Sequence, residues 1–224
     1  MLGTLPLMAW TIKEAVASGV FDAVIAVVAD EQYAAMAEKY GAWVPFRRPD
    51  YTVLDGSPDV EWVLWTLGRL REEFNRYDAF SILRVTSPFR TAVHIREAWN
   101  KFRNAFGADS LRTVRPVNEH PGKMWVIRQD RLLPLLSMGP PGDPENPPWH
   151  SQPTQELFTC YIQTAGMEFG WSDRVLKTKT IAGSTVVPYV VDGPAALDIN
   201  TFDDWDEAVA LVDGGTVGMS GSLR

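Results

Sequence analysis

The sequence predicts an α/β protein: a three-layer sandwich on a doubly wound, mainly parallel sheet, with a β-excursion in the second half. Three observations predict it. The continuous valine-rich run Ala23 to Ala29 has the pattern of a parallel strand buried on both faces. A second apolar run, Ala79 to Leu83, in a strand expected to reach Val85, leads into a Thr-Ser-Pro turn and an amphipathic segment that begins at Thr91. Around these runs, helix-like and strand-like segments alternate at βαβ spacing through the first half of the chain.

Each element follows from its own residues. Pro6 to Ser18 carries Leu7, Trp10, Thr11 and Ala15 at helical spacing, with Gly19 as its stop. Asp30 is placed to cap a helix from Glu31 to Tyr40, which Gly41 ends. Trp43 to Phe46 reads as a short strand and Arg47 to Gly56 as a polar loop. Ser57-Pro58 reads as an N-cap followed by proline in the first helical turn, opening a helix to about Phe74. After the Ala79 strand come a helix from Thr91 to Phe106 and a strand from Ser110 to Val114. The second half differs: strands at Met124 to Arg128, Leu157 to Gln163 and Val186 to Val191 surround a Pro/Gly-rich loop, Gly139 to Pro153. Thr201 is placed to cap a helix from Phe202 to Val212, and Gly214 to Arg224 reads as a low-complexity tail. Residues 1–213 are expected to form a single domain, and there is no internal repeat.

Composition narrows the function classes. At 224 residues the chain is long enough to bury a large core, and a net charge of -7 argues against a nucleic-acid surface. A charged small ligand remains open, because a local arginine cluster can sit on an acidic protein. The single cysteine, Cys160, excludes an internal disulfide framework and fits a reducing cytoplasm. The three histidines show no metal-ligand spacing. The longest apolar run is far short of a membrane span, and Met1-Leu2-Gly3-Thr4 lacks the basic start of a secretory signal. The nine tryptophans, among them Trp62, Trp65, Trp99 and Trp205, sit at core spacings and read as packing residues.

The chemistry concentrates in Leu83-Arg84-Val85-Thr86-Ser87-Pro88-Phe89-Arg90-Thr91. In open α/β sheets, ligands bind in the crevice beyond the carboxyl ends of the strands. A loop there with two hydroxyls and two arginines suits an anionic, hydroxyl-rich ligand. The plainer alternative is a capped helix after a strand.

This stretch resembles the Leu-Gln/Arg-Pro-Thr-Ser-Pro-Leu/Phe-Arg-Thr signature of the acylneuraminate cytidylyltransferases. Four further stretches resemble that family in the same order: Leu5 to Ala15, Tyr40 to Pro49, Glu119 to Trp125, and Leu197-Asp198-Ile199-Asn200-Thr201. Together they cover roughly Leu5 to Val212. The resemblance implies a nucleotidyltransferase-like sandwich that is a homodimer, with the β-excursion and Pro-rich loop in its contacts. It also implies CTP and a sialic-acid-like sugar acid as substrates, and a CMP-sugar and pyrophosphate as products. Arg48 then lies in the nucleotide-contacting segment. Arg84, Thr86, Ser87 and Arg90 line the sugar-acid pocket, and His120, Lys123, Gln163 and Thr164 are further sugar-side candidates. An Arg84 guanidinium could form a fork with a sugar carboxylate.

The family places an acid two residues after Asp198, and alternate residues of an extended backbone share a face. The resemblance therefore makes Asp198 the catalytic carboxylate and, with Asn200, the ligand of a Mg²⁺ cofactor. An amide ligates through its carbonyl oxygen but brings no charge, so metal affinity should drop. Asp198 could instead be a helix-entry acid like Asp203 and Asp204. Gln163-Thr164 stands where the family has an Asn-Gly pair, and Val85 replaces a proline. The family also opens with a buried strand and an Arg-x-Gly-Ser-Lys loop that cradles the triphosphate. That motif does not occur in these 224 residues, so either the true start lies upstream or the cradle is lost. The alternatives to a cytidylyltransferase are a non-catalytic sugar- or nucleotide-binding homologue and a nucleotidyltransferase with another base or sugar.

Overall fold

The structure of the chain, a computed structural model, describes residues 1–53, 56–136 and 147–218. Its helices and strands are, in order, α1 (Leu7–Ser18), α2 (Glu31–Lys39), α3 (Asp59–Glu73), β1 (Ala79–Ile82), α4 (Ala92–Asn104), β2 (Ser110–Pro116), β3 (Trp125–Arg128), β4 (Arg131–Pro134), β5 (Tyr161–Trp171), α5 (Ser172–Thr178), β6 (Val186–Val190) and α6 (Phe202–Asp213). They form two compact units, Met1–Thr113 with Thr164–Arg224, and Val114–Gln163.

Caps and turns account for where the helices of the first unit start and stop. The Asp30 carboxylate accepts from Gln32 N at 2.6 Å, and Gly19, at φ 63°, closes α1 in the left-handed conformation that glycine tolerates. Thr91 and His94 form a reciprocal capping box at the start of α4, as Thr201 and Asp204 do for α6. The sheet order is β1-β5-β2-β6. β1 and β5 pair antiparallel, with Ala79 opposite Trp171 and Ile82 opposite Glu168, so the α/β sheet is mixed.

Alternation along β5 separates its two faces. Met167 and Phe169 pack with Leu111 against Ile95, Ala98 and Phe102 of α4. On the other face, Gly170 lies so close to Phe80 and Val175 that a Cβ there would meet the phenyl ring at 3.0 Å. Phe102 is fully buried, and truncating it to alanine would cost about 3–5 kcal/mol. A separate cluster joins Ile12 of α1, Ala34 and Ala37 of α2, and Val44.

Several expectations are corrected. The Ala23 to Ala29 run is extended but only half-buried, and a single parallel bridge, Ile25 to Trp43, joins it to its neighbour. β1 ends at Ile82, because Arg84 and Ser87 already form a turn. Pro58 rather than Ser57 precedes α3, and the Ser57 hydroxyl donates to Tyr51 O. The strand expected from Leu157 begins at Tyr161 and runs on to Trp171. Glu168, Gly166 and Thr164 interrupt its apolar pattern and hid that length. α5 and β4 were not expected at all. Part of the Gly139 to Pro153 loop and the end of the tail lie outside the described residues.

The second unit carries the β-excursion. β3 and β4 pair antiparallel across a two-residue turn, with Arg128 opposite Arg131. Gln129 and Asp130 both have positive φ, 48° and 60°, as a turn matched to the strand twist requires. The hairpin leaves Trp125, Ile127, Leu132 and Leu133 exposed. Beside it, within the same unit, His120, Trp149 and Phe158 meet edge to face.

Candidate functional site

The loop after β1 is fixed from several sides. Phe89 is buried edge-on against Trp10, with ring centroids 5.7 Å apart. The first amide of α4, Ala92 N, donates to the Glu14 carboxylate at 2.6 Å. Arg90 is 2% exposed and donates to Thr11 Oγ1 at 2.7 Å, to Arg84 O at 2.6 Å and to Gly166 O. One side chain thus ties α1, β5 and the loop together. Burial pulls the Arg90 guanidinium down to about 9, opposed by the charge of Asp198, so it stays a cation at neutral pH.

Arg84 lies on an acidic frame. It donates to both oxygens of Asp59 and pairs with Glu168 at 3.3 Å. Glu168, itself buried, also pairs with Arg112 at 3.0 Å. Asp59 further accepts from Trp62 Nε1 at 2.9 Å, and Arg48 stacks over the Trp62 ring at 5.6 Å. Burial acts to raise the Asp59 carboxyl. Hydrogen bonds from Arg84 and Trp62 and the charges of Arg84 and Arg48 outweigh it, leaving Asp59 below the ordinary carboxylate range. Arg48, Asp59, Trp62, Arg84 and Thr86 line one cleft of about 990 Å³.

Asp198 and Asn200 reach the same loop through the backbone: Ile199 N donates to Thr86 O at 2.8 Å. Asn200 Nδ2 donates to Asp198 Oδ2 at 3.0 Å, while Asp198 Oδ1 is buried with no hydrogen-bond partner among the described residues. Among those residues no group of three or more His, Cys, Asp or Glu side chains could hold a metal ion. A single orphan carboxylate oxygen suits an ion that takes its other ligands from water and phosphate, as Mg²⁺ does.

Comparison with known proteins decides the family. The chain is 31% identical over 209 residues to a pseudaminic acid cytidylyltransferase of Campylobacter jejuni, covering 92% of this chain and 84% of that one. The chain belongs to the acylneuraminate cytidylyltransferase family. It is also 26% identical over 211 residues to an N-acylneuraminate cytidylyltransferase of Escherichia coli O18:K1:H7, covering 94% of this chain and 47% of the relative. The chain thus spans about half the length of the N-acylneuraminate cytidylyltransferases it matches. No protein-family model matches it. Among solved structures, a CMP:2-keto-3-deoxy-manno-octonic acid synthetase complexed with CTP superposes with TM-score 0.63 at 10% identity. That match covers 96% of this chain and 90% of the synthetase. A 4-diphosphocytidyl-2C-methyl-D-erythritol synthase superposes with TM-score 0.64 at 12% identity, over 95% of this chain and 91% of that one.

In this cytidylyltransferase-family chain the expected site residues divide into groups. Arg48, Arg84 and Thr86 share the cleft, and Asp198 and Asn200 join the loop through Ile199. Ser87, Arg90 and Thr164 are buried. The Thr164 hydroxyl donates to Thr113 Oγ1 at 2.8 Å, and the Ser87 hydroxyl has no partner among the described residues. The other three lie in the second unit. His120 Nδ1 accepts from Gly122 N at 2.9 Å, Lys123 Nζ donates to Gln152 O at 2.6 Å, and Gln163 is exposed.

Sequence reading missed Asp59, Trp62 and Glu168. Glu168 had a usable signal, because an acid inside the run Ala165 to Phe169 must find a buried partner. Asp59 had none, since acids in a first helical turn are commonplace.

Proposed function

We propose that the cleft is a cytidylyl-transfer site, taking CTP and a sialic-acid-like sugar acid to a CMP-sugar and pyrophosphate. The observation that carries the reading is the Ile199 N to Thr86 O hydrogen bond of 2.8 Å. It holds the segment bearing the orphan Asp198 oxygen against the loop bearing Arg84 and Thr86, in a chain of this family.

In the proposed reaction a sugar hydroxyl oxygen bonds to the α-phosphorus of CTP and the bond to the bridging oxygen breaks. Pyrophosphate leaves, and the hydroxyl proton passes to water. Arg48 binds the nucleotide. Arg84, its guanidinium aimed by Asp59 and Glu168, and the Thr86 hydroxyl orient the sugar acid. Ser87, Arg90 and Thr164 act from beneath, as scaffold for the loop and for β5. Asp198 Oδ1, assisted by the Asn200 amide, would hold Mg²⁺, which when bound neutralises phosphate charge.

His120, Lys123 and Gln163, which belong to the second unit, are proposed as sugar contacts on the family resemblance alone. Trp125, Ile127 and Leu132, exposed on one face of the hairpin, support a homodimer, because exposed apolar patches mark interfaces. No described helix is long and apolar enough to cross a membrane, and the reading assigns the chain to the cytoplasm.

Pyrophosphate release from CTP, Mg²⁺ and a panel of sialic-acid-like sugars tests the reaction. Release that Asp198→Asn abolishes supports it. Asn200→Asp should raise Mg²⁺ affinity by about tenfold, because it restores the second charge. The neutral Asn200 favours one other reading, a non-catalytic homologue that keeps the pocket. Folded protein that binds the sugar acid but neither releases pyrophosphate nor binds CTP would establish that alternative.

A further inference from the structure

Glu168 has more cations around it than charge balance requires. It lies on β5 with its side chain 4% exposed, and a buried carboxylate left unpaired is costly. One guanidinium is enough to neutralise it. Glu168 meets two: Arg112 of β2 at 3.0 Å on Oε2 and Arg84 at 3.3 Å on Oε1. Arg84 has an acid of its own, because Asp59 accepts from both its Nη1 and its Nη2. Two balanced pairs, Arg84 with Asp59 and Arg112 with Glu168, are thus joined by one longer contact.

The atoms of Arg84 show what that contact does. A guanidinium offers a carboxylate two edges, Nη1 with Nη2 and Nε with Nη2. Asp59 fills the first. Glu168 touches the second at Nη2 alone, and Nε has no hydrogen-bond partner among the described residues. The edge is therefore held without being closed. That holds only while the other oxygen of Glu168 is engaged elsewhere, and Arg112 engages it.

We propose that Arg112 is a positioning residue for the sugar-acid site: by holding Glu168 Oε2 it keeps the Nε edge of Arg84 open for the carboxylate of the substrate. The proposal rests on the cytidylyl-transfer reading, since a sugar acid is what would bring a carboxylate to the cleft that Arg84 lines. Without Arg112 the buried Glu168 has one cation left. Its freed oxygen turns to Arg84 Nε, and an internal carboxylate then occupies the edge on which the sugar acid would fork. Arg112 acts through Glu168 and touches no substrate. Its effect is confined to the sugar acid, because Arg48, the proposed nucleotide contact, makes its hydrogen bonds to Thr52.

Kinetics of the 224-residue chain with CTP, Mg²⁺ and a sialic-acid-like sugar that it turns over test the assignment. Arg112→Gln should raise the KM for the sugar acid about tenfold, with kcat and the KM for CTP within about threefold of the unsubstituted chain. Arg112→Lys keeps a cation on Glu168 and should bring the sugar-acid KM back to within about threefold. Once Glu168→Gln is present, Arg112→Gln should change that KM by less than about twofold, because the residue acts through the carboxylate. An unchanged KM in Arg112→Gln, or an equal rise with and without Glu168→Gln, would overturn the proposal.

A second readout needs no turnover. Hydrogen exchange of the Arg84 Nε–H, followed by heteronuclear NMR and assigned with Arg84→Lys, should slow by about tenfold in Arg112→Gln and not when Glu168→Gln is added. Exchange as fast as in the unsubstituted chain would overturn the proposal. Slowed exchange in a chain that turns over no sugar acid would uphold the hold of Arg112 on Glu168 and count against the cytidylyl-transfer reading alone. Arg112→Met carries the same expectations should the glutamine variant fail to fold.

Discussion

The Arg84 to Thr91 loop and the Ala23 to Ala29 run are opposites. The loop is rich in polar groups, and most are consumed inside the protein: Arg90 by Thr11, Gly166 and Arg84, Arg84 by Asp59 and Glu168, Thr91 by His94. The run is apolar throughout, yet half-buried and paired along one edge. A polar loop can be self-sufficient because its side chains reach their own partners. A strand cannot, because its backbone must be completed by a neighbour.

The largest effect that would break this contrast is at Arg90. Arg90→Met removes the buried donor shared by Gly166 O, Thr11 Oγ1 and Arg84 O and should cost about 3–5 kcal/mol in urea unfolding. A loss under 1 kcal/mol would show that the loop is not pinned there.

Next comes Glu168→Gln, which takes the shared carboxylate from Arg84 and Arg112. It should cost about 1.5–3 kcal/mol and raise the KM for the sugar acid more than it lowers kcat. An unchanged KM would separate Arg84 from substrate orientation.

A smaller effect concerns acid. Asp59 lies below the ordinary carboxylate range, so its contribution is present above the unfolded value near 3.9 and is lost as pH falls through the lower folded value. Asp59 is partly exposed, so the contribution is under about 1 kcal/mol. Asp59→Asn should flatten the decline of Tm between pH 5 and 3 without touching its value's slope above pH 6, a comparison that thermal scans across that range provide.

The smallest lies in the hairpin. Asp130 holds φ 60°, and Asp130→Gly should stabilise the chain by up to about 1 kcal/mol in thermal unfolding. A fall in Tm would mean that the aspartate side chain holds the turn.

How much was legible depended on whether an element's cause is local. The caps Asp30, Thr91 and Thr201 were readable because a capping side chain acts within three residues of itself. β5 was not, since Glu168 and Gly166 make sense only beside Arg84, Arg112 and Arg90. The site followed the same rule. Its loop stood out as a motif, but which arginine faces the cleft and which lies beneath it is settled by Thr11 and Asp59, 79 and 25 residues away in sequence from their partners. The single bridge of the Ala23 to Ala29 run left no trace in a pattern that is that of a fully buried strand.

The most direct measurement is calorimetric titration of CTP into the chain with and without Mg²⁺, with UTP and ATP as competitors and Arg48→Ala and Asp198→Asn as variants. A cytidylyl-transfer site requires Mg²⁺-dependent CTP binding that both substitutions weaken by about tenfold and that UTP and ATP do not displace. Binding displaced equally by all three nucleotides, or unaffected by either substitution, would contradict it.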